Sequence, residues 1–289
     1  NMSDIAVIIP AYKTKFLSRT LKSLAEQSCH DFNVYIGDDA SPEPVYDIVR
    51  TFEDSLDITY KKFGDNLGKT DLVAHWERCI NMSSEPWIFF FSDDDVMPDN
   101  AIGRVKAAIK AYPDDKVFRF RLGIIDENDK VMRSNPEFTS DRSFANTVLS
   151  DYLSGKISSA ACERVFHRGL LADGMVHFPL AWCSDVATWY KISEQAGSIV
   201  NISGAPVLWR NAEGNNISSS KGLDRQKASA LTMFIAWLKE NYHGNEDMRL
   251  KKSLYSFIKT NLRVSFSGNY TNADLYGITK AYGRFDLLR

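Results

Sequence analysis

The sequence predicts an α/β protein: a mixed, mainly parallel sheet flanked by helices, with a helical C-terminal extension. Three observations predict it. Short apolar runs alternate with amphipathic stretches over about the first 110 residues, as in consecutive βαβ units with right-handed crossovers. Two of those runs end in carboxylates, Asp38-Asp39 and Asp93-Asp94-Asp95, where open α/β sheets bind ligands. From Asp224 onward the apolar spacing is helical, through Leu231, Phe234, Ile235, Leu238, Leu254, Phe257, Ile258 and Leu262.

Ile5 to Ile9 is a continuous apolar run closed by Pro10, which reads as a buried parallel strand. Phe16 to Gln27 places Leu17, Leu21 and Leu24 on one helical face. Phe32 to Gly37 alternates as a strand, Val45 to Phe52 is helical and Ile58 to Phe63 is a short strand. Thr70 to Met82 is a helix, Trp87 to Phe91 a buried aromatic strand, and Ala101 to Ala111 the next helix. Then the rhythm changes. Val117 to Ile125 is a strand, Asp126 to Lys130 a hairpin turn, and Val131-Met132 begin the return. Phe144 to Leu153 reads as helix, Cys162 to Phe166 as strand, and Asp185 to Gln195 as helix. Ile199 to Ile202 is a strand leading toward Pro206 to Trp209. Asn211 to Lys221 is rich in Gly, Ser and Asn and reads as a loop.

Composition narrows the classes. The 289 residues are 44% hydrophobic and 25% charged, an ordinary globular balance, with a net charge of −2. That balance implies no basic face, and nucleic acid is not expected as a partner. Cys29, Cys79, Cys162 and Cys183 lie far apart without CxxC spacing, so they are expected to be reduced thiols of a cytoplasmic protein, not a disulfide frame or zinc site. No signal-peptide pattern and no apolar run of about 18 residues is found. Asn1 ahead of Met2 is read as an addition to the natural chain.

Five constellations can carry chemistry. Val7-Ile8-Ile9-Pro10-Ala11-Tyr12 ends a strand in a proline turn, whose free backbone groups suit the floor of a nucleotide base. It lacks the glycines of a dinucleotide fingerprint, and no P-loop occurs. Asp38-Asp39 can accept from a ring N–H or a ribose hydroxyl, or can cap the next helix. Asp93-Asp94-Asp95 repel one another; a divalent cation would offset the charge, or the cluster is a solvated acidic turn. Asp185 follows Phe178-Pro179-Leu180-Ala181-Trp182-Cys183-Ser184 and opens a helix, either as a base within reach of a hydroxyl or as part of a cap. Trp209-Arg210-Asn211, followed by Asn215-Asn216-Ile217-Ser218, joins a cation to a loop suited to closing over a ligand.

In this order and spacing, the pieces resemble the inverting glycosyltransferases of family 2, with the GT-A fold, over roughly residues 4–220. Val7 to Tyr12, Asp38 to Ser41, Asn66-Leu67-Gly68-Lys69 and Ser92 to Pro98 carry the resemblance. It implies a nucleotide-sugar donor, a UDP-sugar first, and a saccharide or lipid-linked saccharide acceptor of bacterial surface-polysaccharide synthesis. Pro10, Ala11, Tyr12 and Asp39 would cradle the base, Asp93 would lie near the ribose, and Lys69 and Arg210 would face the donor phosphates. Asp94, with Asp95 beside it, would hold Mn²⁺ or Mg²⁺. Asp185 would be the catalytic base. The first DxD position is Ser92, so the metal motif is a variant.

The expected domain spans 1–222, with a nucleotide half at 1–115 and an acceptor half at 116–222, followed by the helical extension at 223–289. In the extension, Lys251, Lys252, Lys259 and Arg263 flank an apolar stripe. Three uses are open to it: peripheral contact with the inner membrane face, a homodimer contact, or packing on the catalytic domain, of which packing is expected. His75, His167 and His177 are isolated in sequence and read as structural. Two rival functions stand beside the transferase: a catalytically degenerate GT-A binding module, which the presence of Asp94 and Asp185 opposes, and a nucleotidyltransferase, for which Pro10-Ala11-Tyr12-Lys13 is a poor match.

Overall fold

The computed structural model describes residues 3–212, 214–217, 220–244 and 248–283. The order of elements is β1 (Ile5–Ala11), α1 (Leu17–Ala25), β2 (Asn33–Asp38), α2 (Val45–Val49), β3 (Ile58–Lys62), α3 (Leu72–Ile80), β4 (Trp87–Phe90), α4 (Ala101–Ala111), β5 (Val117–Ile125), β6 (Val131–Ser134), β7 (Arg142–Ser143), α5 (Ala145–Leu153), β8 (Arg164–His167), α6 (Ser184–Ala196), β9 (Ile199–Arg210), α7 (Asp224–Asn241), α8 (Met248–Val264) and α9 (Asn272–Tyr282). The expected elements are present, with ends shifted by one to three residues.

The strands form one sheet in the order β3-β2-β1-β4-β8-β5-β9-β7, with β6 added to β5. Strands β3, β2, β1 and β4 are parallel, as βαβ crossovers require. Strand β8 is wedged antiparallel between β4 and β5, and β5 returns parallel to β9. The sheet is therefore mixed and mainly parallel, as expected. Two details are new. Ile199 to Trp209 is one strand, kinked where its register against β5 shifts between Phe120 and Leu122. Cys162 and Glu163, expected to open a strand, belong instead to a short 3₁₀ turn, Ala161–Glu163, ahead of β8.

Alternation along β1 explains the layers. Ile5, Val7, Ile9 and Ala11 enter the core shared with α1, α2 and α4, while Ala6 and Ile8 face the one shared with α3 and α6. A third core joins α5 and α6 to α7, α8 and α9 through Phe178, Cys183, Val186, Tyr190, Leu231, Phe234, Ile235, Phe257 and Ile258. Leu254, Phe257 and Ile258 of α8 are buried there and Lys251, Lys252 and Arg263 are exposed, so the apolar stripe packs on the domain. Among the described residues, no helix is long and apolar enough to cross a membrane. The cysteines are free thiols, three of them buried.

Candidate active site

Three loops meet at the carboxyl ends of β1, β2 and β4. The turn after β1 presents two successive backbone amides: Tyr12 and Lys13 N–H donate to Asp93 Oδ2 at 2.8 and 3.0 Å. The same turn is fixed to the end of β2, because Asp39 N–H donates to the Ala11 carbonyl and Ser41 Oγ donates to that of Tyr12. Pro10 and Tyr12 stay partly open to solvent, while Ala11 and Asp39 are buried. Asp39 is a hub. Its carboxylate accepts from Leu67 N–H and Gly68 N–H, each at 2.9 Å, and from Arg78 Nη2 at 2.6 Å. Arg78 lies over the Phe63 ring at 4.0 Å and donates through Nε to His75 Nδ1. Burial holds His75 down at about 4, so the ring is neutral and its Nδ1 is an acceptor. Lys69 sits exposed beside this hub, its amide bonded to Asn66 Oδ1.

The three adjacent aspartates turn in different directions. Asp93 faces the β1 turn. Asp95 is directed inward: Oδ1 accepts from Arg210 N–H at 2.9 Å and Oδ2 lies 2.6 Å from Ser92 Oγ. Ser92 Oγ is also 3.0 Å from Asp94 Oδ1, and its single proton can serve one carboxylate at a time. Asp94 Oδ2 accepts from the Asn215 side-chain amide. Burial, then the charge of Asp94, pushes Asp93 up to about 7 and Asp95 up to about 8. Among the described residues, no three His, Cys, Asp or Glu side chains converge as metal ligands. Both Asp95 oxygens are engaged within the fold, by Arg210 N–H and Ser92, whereas Asp94 Oδ2 meets the side chain of Asn215, a loop contact that a ligand can replace. One carboxylate plus diphosphate oxygens is an ordinary donor set for Mg²⁺ or Mn²⁺, so the residues present fit a cation that arrives with the substrate.

Arg210 is elsewhere than expected. It is 0% exposed, with Nε on the Asp94 carbonyl, Nη1 on the Asp126 carbonyl, Nη2 2.6 Å from Asp129 and the guanidinium over Phe16. It braces the acidic loop against the β5–β6 hairpin and has no surface left for a phosphate. Lys13 is a cation at the site mouth, where its ammonium donates to the Gly214 and Asn215 carbonyls at 3.3 and 2.7 Å. Spacing gave no sign of Lys13 or Arg78. Lys13 directly follows the Val7–Tyr12 motif and is carried by the β1 turn, and Arg78 is brought in by α3 nine residues beyond Lys69. Of the loop motif after Arg210, Ser218 lies outside the described residues.

Asp185 occupies the first turn of α6, half-buried. Ser184, which could have capped that helix, instead accepts from Phe178 N–H at 2.9 Å. The approach is strained: Leu180, Ala181 and Cys183 have φ of 60°, 54° and 64°, left-handed values for residues with side chains. Burial, reinforced by the Glu163 charge, raises Asp185 to about 6 against two backbone N–H bonds and Arg164. The 3₁₀ turn joins the two acidic centres. Cys162 bonds toward Asp95, and the buried Glu163–Arg164 pair, 3.0 Å apart, is felt by Asp185. Trp182 packs in tilted contact with Phe257 and Phe266 of the third core, at 6.3 and 6.1 Å between ring centres.

A mixed, mainly parallel sheet flanked by helices, with an acidic loop at the carboxyl ends of its parallel strands, defines a GT-A-like architecture. The model of the family described as glycosyl transferase family 2 matches residues 6–170, and the chain belongs to that family. It is 42% identical over 67 residues to validoxylamine A glucosyltransferase of Streptomyces hygroscopicus subsp. jinggangensis, a match covering 22% of this chain and 16% of that relative. Among solved structures it superposes on S. aureus TarS 1–349 in complex with UDP-GlcNAc with a TM-score of 0.72 at 16% identity, covering 99% of this chain and 80% of that one. The mannosyltransferase PcManGT from Pyrobaculum calidifontis, in complex with GDP-Man and Mn²⁺, gives a TM-score of 0.55 at 17% identity, covering 98% and 74%.

Proposed function

We propose that this member of glycosyl transferase family 2 moves a sugar from a nucleotide-sugar donor with inversion, that Asp185 is its base, and that its acceptor is a hydroxyl of a surface polysaccharide or lipid-linked saccharide. The observation that carries the reading is Asp185 itself. It is a carboxyl raised to about 6, across a single 3₁₀ turn from the acidic loop. A base with a pKa near the working pH combines a useful ionised fraction with real proton affinity.

The reaction is one displacement. The acceptor hydroxyl gives its proton to the Asp185 carboxylate, its oxygen bonds to the anomeric carbon, and the bond to the diphosphate oxygen breaks. With no covalent intermediate, the configuration at that carbon inverts. The base of the donor lies on Pro10, Ala11 and Tyr12, with Asp39 holding Arg78 at its edge, and Asp93 fixes the turn that meets the ribose. Lys69 and Lys13 face the phosphates. Mn²⁺ or Mg²⁺, held by Asp94 and the diphosphate, would supply positive charge to the leaving group. Asn215 would yield its place on Asp94 as donor and cation enter.

Uridine is the first donor choice, in line with the UDP-GlcNAc complex of TarS, and guanosine the rival, in line with the GDP-Man complex of PcManGT. Calorimetric titration of UDP, GDP, dTDP and CDP, with and without Mn²⁺, tests the donor half. The expected result is metal-dependent binding of one of them. Proton NMR of the first-formed product tests the chemistry, and a retained anomeric configuration would overturn single displacement.

A further inference from the structure

His177 lies between two carboxylates. Its Nδ1 is 2.9 Å from Asp71 Oδ2 and its Nε2 is 3.0 Å from Glu77 Oε2. A neutral imidazole carries one N–H and can donate to only one of them; both contacts are satisfied together only by imidazolium. Partial burial lowers the affinity of this ring for its proton, but Asp71 and Glu77 outweigh burial and raise it above the ordinary 6.5.

The position of the ring gives the contact a use. Asp71 caps α3 by accepting from Ala74 N–H, and it directly follows the loop whose Leu67 and Gly68 amides hold Asp39. His177 begins the stretch that ends in Asp185. Between them stand Leu180, Ala181 and Cys183 with left-handed backbone, a conformation that persists only where neighbouring structure holds it on both sides. On the downstream side the stretch runs into α6. On the upstream side it is tied to α3 by His177 and by Met175 N–H, which donates to Glu77 Oε1 at 2.7 Å. The charged groups facing the ring are Asp71 and Glu77 from α3. On α6, Lys191 is engaged with the same stretch, its ammonium donating to the Gly174 carbonyl.

We propose that His177 is a positioning residue: as imidazolium it straps the Asp185-bearing segment to α3, and loss of its proton loosens the base and lowers transfer. The effect on Asp185 rests on the reading of that residue as the base; the strap itself does not. The sign follows from the raised affinity. The strap is whole below 6.5 and is lost as pH rises through the higher pKa of the folded protein. Transfer therefore rises near pH 6 as Asp185 ionises and falls again, above 6.5, as His177 loses its proton.

The test uses the full chain. Ring ¹⁵N NMR of the protein, with the His177 resonance assigned by its loss in His177→Gln, follows the titration directly. The pKa is expected above 6.5 and should drop in Glu77→Gln. In parallel, kcat/KM is measured against pH. His177→Gln is expected to lose the falling limb, keep the rising one, and lose about ten- to a hundredfold in kcat/KM at pH 6.5, the scale of a misplaced catalytic group. Glu77→Gln should move the falling limb to lower pH, and carries the test if His177→Gln does not fold. A His177 pKa at or below 6.5, or a falling limb unchanged in the folded variants, overturns the proposal. If instead Asp185→Asn retains turnover while His177 titrates as expected, the reading of the base fails and the strap stands.

Discussion

Asp185 is ionised at a cost to the fold. Its folded pKa of about 6 exceeds the ordinary 3.8, so the folded state holds the proton more tightly and the carboxyl's contribution to stability declines as pH rises from about 4 through 6. Asp185→Asn removes that penalty. It is expected to abolish transfer, leave UDP binding within a factor of two or so, and melt no lower than the wild type at pH 7.5, as active-site carboxyls that work against stability do. Calorimetry and a thermal melt on the same sample check it. Arg210 has the opposite character. Arg210→Met strips a fully buried cation from Asp129 and two carbonyls, and should cost about 3–5 kcal/mol, seen in a urea melt. At this scale the sequence singled out residues whose type is rare in their setting: three carboxylates after an aromatic strand, or Asp185 after an aromatic stretch. It was not readable where burial decides the role. Arg210 and Lys13 are both cations beside loops, and only the fold turns one inward and the other toward the site mouth. His177 read as isolated because its partners are 106 and 100 residues away in the chain.

The parallel half was legible element by element, since each strand and helix there carries its own periodicity. The pairing of β8 between β4 and β5 was not, because a short apolar run looks the same whichever way it is laid. Strand β9 shows what periodicity conceals. Its Ser203-Gly204-Ala205 bulge reads as a break between two strands, yet Arg104 donates to the Ser203 and Ala205 carbonyls at 2.6 and 2.9 Å and carries the strand through. Gly204 has φ of 109°, and a Cβ there would stand 2.9 Å from Arg104 Nη2. Gly204→Ala is expected to destabilise by about 1–3 kcal/mol, measured by urea unfolding, because it combines strained backbone with a clash. Since β9 ends at Arg210, whose amide holds Asp95, a weakened bulge should also weaken metal-dependent nucleotide binding.

The extension after 222 is not an appendage. Its helices share a core with α5, α6 and the segment leading to Asp185, and the buried Lys227 of α7 ties Ser220 to Ser265 through their carbonyls. A chain ending at 222 would expose Phe178, Val186 and Tyr190. It is expected to bind a hydrophobic dye and lose its cooperative melt while the full chain keeps both properties native. Saturating UDP with Mn²⁺ should raise the melting temperature of the full chain; at a hundred times Kd the gain is about 2.7 kcal/mol. Order of synthesis follows from the sheet. Strands β1 to β4 are complete once residue 90 has left the ribosome, so half of the sheet can assemble on its own. Its outer strand β4 waits about 75 residues for β8, and the acidic loop waits for Val96 to pair with Leu208 and for Arg210 to reach Asp95. During that interval the nascent chain would display an aromatic strand edge beside three unbraced carboxylates, and charge at a strand edge opposes its pairing with another chain. The three carboxylates thus stand first as the gatekeepers of a half-built sheet.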